Sequence, residues 1–443
     1  MKLLLKTNML FVFLLGMIAT PTIAQDKLFT LDDCIKYALE NSTTIGRASN
    51  EVFSQASDLE QRKAERGPNL SLAASETFNS NGTYDNTGDQ WSRKTNSNMN
   101  VSLSSNITLY NGARIKNSIL QGKINVSAAE TDIKTKEELL SLDVLSAYIF
   151  VLQAKEQLKN SETQLEATEK SLEDATIRRE AGVMSPVDYL NIKSQYASDK
   201  AALVNSQSAL HISKISIMQT INMPVSNTFD IAQPDTDNLL KMNAKTDASI
   251  VYNFALKIQP SVKTAALDLE SSAIDIKLAK TNGLPNLSLF GGIQSNYSTV
   301  SNLGFSNQFS NQLTPAIGIN LSIPIYQRKE VKNKVKQASI ARQNFEYNLI
   351  DIKNDLRKAI EQACADAQTA NSAYLSYEEQ YLAEQESYKL AAEMFSQGML
   401  NSVDFISSKN NLSTAENNLT KAKYGMILQN EIIDYYMGNK IEF

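Results

Sequence analysis

Apolar residues between Tyr110 and Gly182 fall in two heptad rows: Ile119, Val126, Ile133, Leu140, Ala147, Ala154, and Val144, Val151, Leu158, Leu165, Leu172. The rows stand four residues apart in phase, the a/d relation of helices packed side by side in a left-handed coil. No proline interrupts the stretch, and its only glycines, Gly112 and Gly122, lie near its start. The pattern predicts one helix over about 113–181, roughly 100 Å long at 1.5 Å per residue. A second is expected over about 328–397, with rows Ala338, Phe345, Ile352, Ala359 and Leu349, Leu356, Ala363, Ala370. Return helices are expected over about 186–222 and 402–437, where Tyr189, Tyr196, Leu203, Leu210, Ile217 and Phe405, Leu412, Leu419, Met426, Ile433 keep the period.

A different period precedes each long helix. Met99, Val101, Leu103, Ile107 and Leu109 alternate with Asn and Ser, and Thr108 falls on the polar side. Ile317, Ile319, Leu321, Ile323 and Ile325 alternate with Gly318, Asn320, Ser322 and Pro324. Weaker strands near Leu70–Leu72 and Leu287–Leu289 complete two hairpins, about 69–110 and 286–326, with Asn/Ser/Gly-rich tips. One face of each strand is apolar and the other polar but uncharged. A half-buried soluble sheet would read the same way. Four strands of about ten residues set between long helices in an exported chain favour membrane strands. Four strands cannot close a barrel, and open edges are not tolerated in lipid, so such a chain must oligomerise. Pro324 lacks a ladder donor and belongs at a strand end or weak edge.

The two halves are copies. Pro68-Asn69-Leu70-Ser71-Leu72 returns as Pro285-Asn286-Leu287-Ser288-Leu289, and Val187-Asp188 returns as Val403-Asp404, roughly 216 residues apart. A first repeat is expected over 25–235 and a second over 236–443, each holding a helix, a hairpin, a long helix, a turn and a return helix. Residues 1–24 read as a secretory signal, with Lys2 and Lys6 before a short apolar run and Thr22-Ile23-Ala24 before the cleavage point.

The helix-to-helix turns, 182–188 and 398–404, carry the most local chemistry. Gly182 and Gly398 suit the left-handed position that ends a helix. Ser185 and Asn401 cap the next helices, Asp188 and Asp404 follow three residues on, and Pro186 sits at the first helical position. Val183-Met184 and Met399-Leu400 serve as apolar closing contacts of such turns, or as docking points for a partner helix pair. Tyr374, Tyr381, Tyr388 and Phe395 stack towards the second turn at heptad spacing, as helix packing or as a constriction.

Net charge of −5, with both signs mixed, excludes a nucleic-acid partner. The single His211 and single Trp91 leave no metal-ligand spacing, phosphate loop or catalytic constellation, so neither cofactor nor enzyme activity is expected. Cys34 and Cys364, the only cysteines, leave a disulfide open.

The signal, the duplication, the PNLSL segments before the hairpins and the paired Gly-to-Asp turns together resemble the TolC-like outer-membrane efflux proteins, over about residues 28–437. The resemblance implies a homotrimer in outer-membrane lipid: a twelve-stranded barrel continued by a twelve-helix tunnel across the periplasm. A small mixed domain would wrap the tunnel at mid-height, from Asn222 to about Asp247 with the C-terminal tail. Gly182, Val183, Met184, Ser185, Asp188, Gly398, Met399, Leu400 and Asn401 would meet a periplasmic adaptor protein, and through it an inner-membrane pump. Asp404 matches an aspartate ring that narrows the tip in family members; the companion position is Ser407. Phe395 stands where some members carry a latching tyrosine, and it cannot hydrogen-bond Asp188, so a different latch is expected. The implied function is a passive export duct. The alternative is a structural or adhesive exported trimeric coiled-coil protein without a transport role.

Overall fold

Each half of the chain enters through a pair of helices broken at a cap. Thr30 accepts from Asp33 N at 3.2 Å while Asp33 Oδ2 accepts from Thr30 N at 3.3 Å, closing a capping box on α1 (Leu31–Asn41). The structure, a computed structural model, describes residues 28–85, 87, 89–234 and 247–440. The expected signal segment, and residues 235–246 of the expected mid-height domain, lie outside the described residues. Ser42 leaves the helical region and caps α2 (Thr43–Ala64). In the second half α5 (Ala248–Ile258) gives way to α6 (Pro260–Thr281) at Gln259, with Pro260 starting the helix where no N–H is needed.

The strands follow. β2 (Asn69–Asp85) pairs with β3 (Gln90–Tyr110), β3 with β5 (Asn286–Ser298), and β5 with β6 (Thr314–Ser322), all antiparallel, in the order β2-β3-β5-β6. Leu72, Leu103, Ile293 and Pro315 lie opposite one another on the apolar face, with Leu70, Val101, Leu289, Ile317 and Ile319. The other face holds Ser71, Ser102, Asn100, Asn296 and Asn320. Pro324 lies just past the end of β6, where no ladder bond is demanded of it. The outer edges of β2 and β6 have no strand partner within the described residues. Among the same residues, no helix is long and apolar enough to cross a membrane.

From the sheet, Ala113 and Lys329, both with φ of 66°, turn the backbone into α3 (Arg114–Glu180) and α8 (Glu330–Ser396), each 67 residues long. The return helices α4 (Pro186–Thr220) and α9 (Ser402–Tyr436) are each 35 residues, so they stop near mid-height. There β1 (Leu28–Phe29) pairs in parallel with β4 (Asp230–Ile231). The Tyr148 hydroxyl donates to Ala232 O at 2.6 Å, and Lys155 and Lys214 both reach Asp230, at 2.7 and 3.0 Å. The largest core gathers here, from Cys34, Leu145, Tyr148 and Ile149 to Ile217, Ile231 and Tyr424. Both cysteines are free thiols: Cys34 is buried in this core, and Cys364 packs against a second core around Val251 and Ile360. His211 is an exposed residue of α4.

Candidate functional site

The two turns at the far end of the helices are built alike. Gly182 (φ 75°) and Gly398 (φ 74°) take the left-handed conformation. Val183 N then donates to Arg178 O and Gly182 N to Arg179 O, both at 3.0 Å; Met399 N to Met394 O (2.9 Å) and Gly398 N to Phe395 O (3.1 Å) repeat the pattern. This is the Schellman closure, which satisfies the last carbonyls of each long helix. The next helices start on side-chain caps: Ser185 Oγ accepts from Asp188 N at 3.1 Å, and Asn401 Oδ1 accepts from Asp404 N at 2.9 Å.

The turns divide their apolar residues in two. Met184 and Leu400 turn inward onto a small core of Ala175, Ile192, Phe395 and Phe405. Val183 (75% exposed) and Met399 (61%) point outward, as do Val187 and Val403 one helical turn on. Two equivalent pairs of exposed apolar side chains therefore stand at the end of the molecule, on backbone held rigid by caps.

Two charged residues tie the turns together, each matched to a helix end. The Arg178 guanidinium, paired with Asp174 at 2.9 Å, donates to Phe395 O (3.3 Å), which also accepts from Gly398 N, and to Ser396 O (2.6 Å), both carbonyls at the C-terminus of α8. Asp188 Oδ1 accepts from Ser402 Oγ at 2.5 Å and from Ser402 N at 3.3 Å, at the N-terminus of α9. The Ser402 and Ser185 hydroxyls hold the Asp188 carboxyl below its ordinary value. Cation at one helix C-terminus and anion at the next N-terminus lock the two turns in register.

Phe395 requires a correction. Its ring lies parallel to that of Phe405, centroids 4.5 Å apart, and is only 8% exposed. A ring sandwiched between helices cannot line a constriction. Asp404 and Ser407 are exposed on α9.

Above the turns, α9 meets α3 and α4 through a polar row at heptad spacing, Ser402, Lys409, Glu416 and Lys423; the next position, Asn430, donates to Asn371 of α8 at 3.4 Å. Lys409 (2% exposed) pairs with Asp199 (6%) at 2.7 Å and donates to Gln164 O at 3.2 Å; Asp199 also accepts from Gln195 and from the Thr168 hydroxyl. Burial pulls the Lys409 pKa down, against the upward pull of Asp199. Asn160 donates to Thr420 at 3.2 Å, and Lys423 reaches Glu156 at 3.6 Å. These polar contacts interrupt apolar seams that join the same two helix pairs below, at Ala175, Ile192, Phe395 and Phe405, and above, where Tyr424 and Ile427 enter the largest core. Ser402, Arg178 and the Asp199–Lys409 pair were not among the residues singled out from sequence. For Ser402 and Lys409 a signal existed: both lie in the row four residues out of phase with Phe405 and Leu412, a core position of the same coil.

An apolar sheet face for lipid, polar facing residues, open edges and helices of about 100 Å ending in capped turns define an outer-membrane channel continued by a helical periplasmic tunnel. The chain belongs to the outer membrane efflux protein family, whose model matches residues 34–223 and 251–439. It is 26% identical over 386 residues to outer membrane protein TolC of Salmonella enteritidis, covering 84% of this chain and 74% of that protein. TolC of Escherichia coli is 25% identical over 389 residues, covering 84% and 74%. Among solved structures, CusC superposes with a TM-score of 0.77 at 17% identity, covering 93% of this chain and 92% of that one. The protein is thus a passive channel of an efflux system, in the outer membrane and reaching into the periplasm, and not an enzyme. The adhesive-coil alternative is set aside.

Proposed function

We propose that the chain works as a homotrimer whose two turns are the contact points for a periplasmic adaptor, itself coupled to an inner-membrane pump. Each repeat, 25–235 and 236–443, would supply one hairpin to the barrel and one turn to the tip. The observation that carries this reading is the outward apolar pair on each turn, Val183 with Val187 and Met399 with Val403. Solvated apolar side chains on rigid, capped backbone suit a partner that brings a helical hairpin with its own apolar stripe. The turns are unlike, Ser185-Pro186 against Asn401-Ser402, so a trimer would offer two kinds of groove in alternation.

Asp404 and Ser407 are the proposed lumen-facing residues of the tip, and the Asp188–Ser402 bond the latch that stands where Phe395 has no hydroxyl to offer. The test is export from cells carrying Val183→Asp with Val187→Asp, or Met399→Asp with Val403→Asp. Lost export and lost adaptor co-purification, with trimers intact in the membrane, support the reading. Undiminished adaptor capture by both double variants refutes it.

A further inference from the structure

The two external loops are built on opposite principles. Above Asn98 the β2–β3 hairpin runs on as a two-stranded arm, from Phe78 opposite Ser97 to Asp85 opposite Gln90, and carries charge at Asp89 and Arg93. Residues 299–313, between β5 and β6, contain no Asp, Glu, Lys, Arg or His. They fold back as the short helix α7 (Phe305–Asn311).

The fold-back is anchored where β6 has run out. β6 begins at Thr314 opposite Gln294, so β5 beyond Gln294 has no strand on that side within the described residues. Gln308, 1% exposed, fills the gap: its Oε1 accepts from Ser298 N at 3.0 Å, and its Nε2 donates to Ser298 O at 3.1 Å and Leu303 O at 2.6 Å. One carboxamide thus satisfies an open edge in the way a strand would. Ser295 Oγ donates to Phe309 O at 2.6 Å, and the Tyr297 and Phe305 rings meet edge-on at 5.1 Å. Ser295 lies opposite Val101 and Tyr297 opposite Met99, so both belong to the apolar, lipid-side face. The helix leans onto that face at the upper limit of its apolar band, directly above Ile293 and Leu103.

We propose that residues 299–313 form a collar seated in the outer leaflet, with α7 lying at the boundary between headgroups and acyl chains and holding the barrel at its depth. Val300, Leu303, Phe305 and Leu313 are exposed on the collar and continue the lipid-facing surface of the strands. The absence of charge and the Tyr297–Phe305–Phe309 ring cluster fit the interfacial zone, where aromatic side chains concentrate. Continuity with the lipid-facing strands selects lipid over the neighbouring protomer's arm as the occupant.

Trp91 is the only tryptophan, so Trp91→Phe with Phe305→Trp places a single fluorophore on the collar. The trimer is reconstituted in phosphatidylcholine vesicles brominated either near the glycerol end of the acyl chains or near their middle. The collar predicts blue-shifted emission, quenched about twofold by shallow bromines and less by deep ones. Emission typical of water, quenched by acrylamide, overturns the proposal. Blue-shifted emission that neither bromine depth quenches overturns it too, by placing the ring against a second copy. Leu303→Trp in the same background repeats the measurement without disturbing the Tyr297 contact.

Discussion

Replacing Asp199 by Ala strands a charge. Lys409 is 2% exposed, and its remaining contact is Gln164 O at 3.2 Å, an acceptor it shares with the Thr168 hydroxyl at 2.9 Å. Breaking a buried pair from one side costs about 3–5 kcal/mol, because the uncompensated charge remains in a low-dielectric site. Asp199→Leu with Lys409→Met removes both charges and fills the space, so it is expected to lie within about 1 kcal/mol of the native protein or above it. The coupling between the single changes therefore exceeds about 2 kcal/mol. The assay is denaturant unfolding of the detergent-solubilised protein by far-ultraviolet circular dichroism, with hydrogen exchange over 160–200 and 402–420 to localise the loss. Glu166→Ala serves as the exposed control; its bond to Lys170 spans one turn of one helix and should matter little. Asp199→Ala unfolding alongside that control would refute the claim that the α3/α4 and α9 helices are pinned by a desolvated pair.

Three further outcomes follow from the same geometry. Arg178→Ala removes both side-chain donors to the end of α8 and should raise hydrogen exchange near 393–399 by roughly tenfold, a loss of about 1–2 kcal/mol, leaving the mid-height core unchanged. Gly398→Ala meets no atom within 4 Å, so its cost is purely conformational, about 1 kcal/mol from φ of 74°, and Gly398→Asn should recover part of it in thermal unfolding. Burial, then the neighbouring Asp434, push Glu431 up to about 7. A carboxyl raised in the fold favours the folded state at low pH, so stability should fall as pH rises from about 4.5 through 7. Glu431→Gln should flatten that slope in melting curves taken across the range.

Periodicity made the architecture legible because both of its elements repeat at fixed spacing over long stretches. Seven-residue rows from Ile119 to Leu172 leave a helix no alternative, and the alternation from Met99 to Leu109 leaves a strand none. The turns were legible because Gly182, Ser185, Gly398 and Asn401 answer to local backbone demands. What escaped depends on contacts remote in sequence. Arg178 reads as a solvated helix residue until the carbonyls of Phe395 and Ser396 arrive beside it. Phe395 reads first as helix packing with a constriction still open, until Phe405 is placed on it. The Asn/Ser/Gly-rich tip between β5 and β6 gives no sign in its composition that Gln308 replaces a strand. Lys409 was the avoidable miss, since a lysine at a core heptad position announces a buried partner.

The central claim is that four strands per chain close only by joining three chains around a water-filled lumen. Native mass spectrometry from lipid nanodiscs, with conductance recorded in planar bilayers from the same preparation, tests it directly. The account predicts a particle of three chains that forms long-lived conducting pores. A monomer that stays soluble without detergent and carries no current would contradict it.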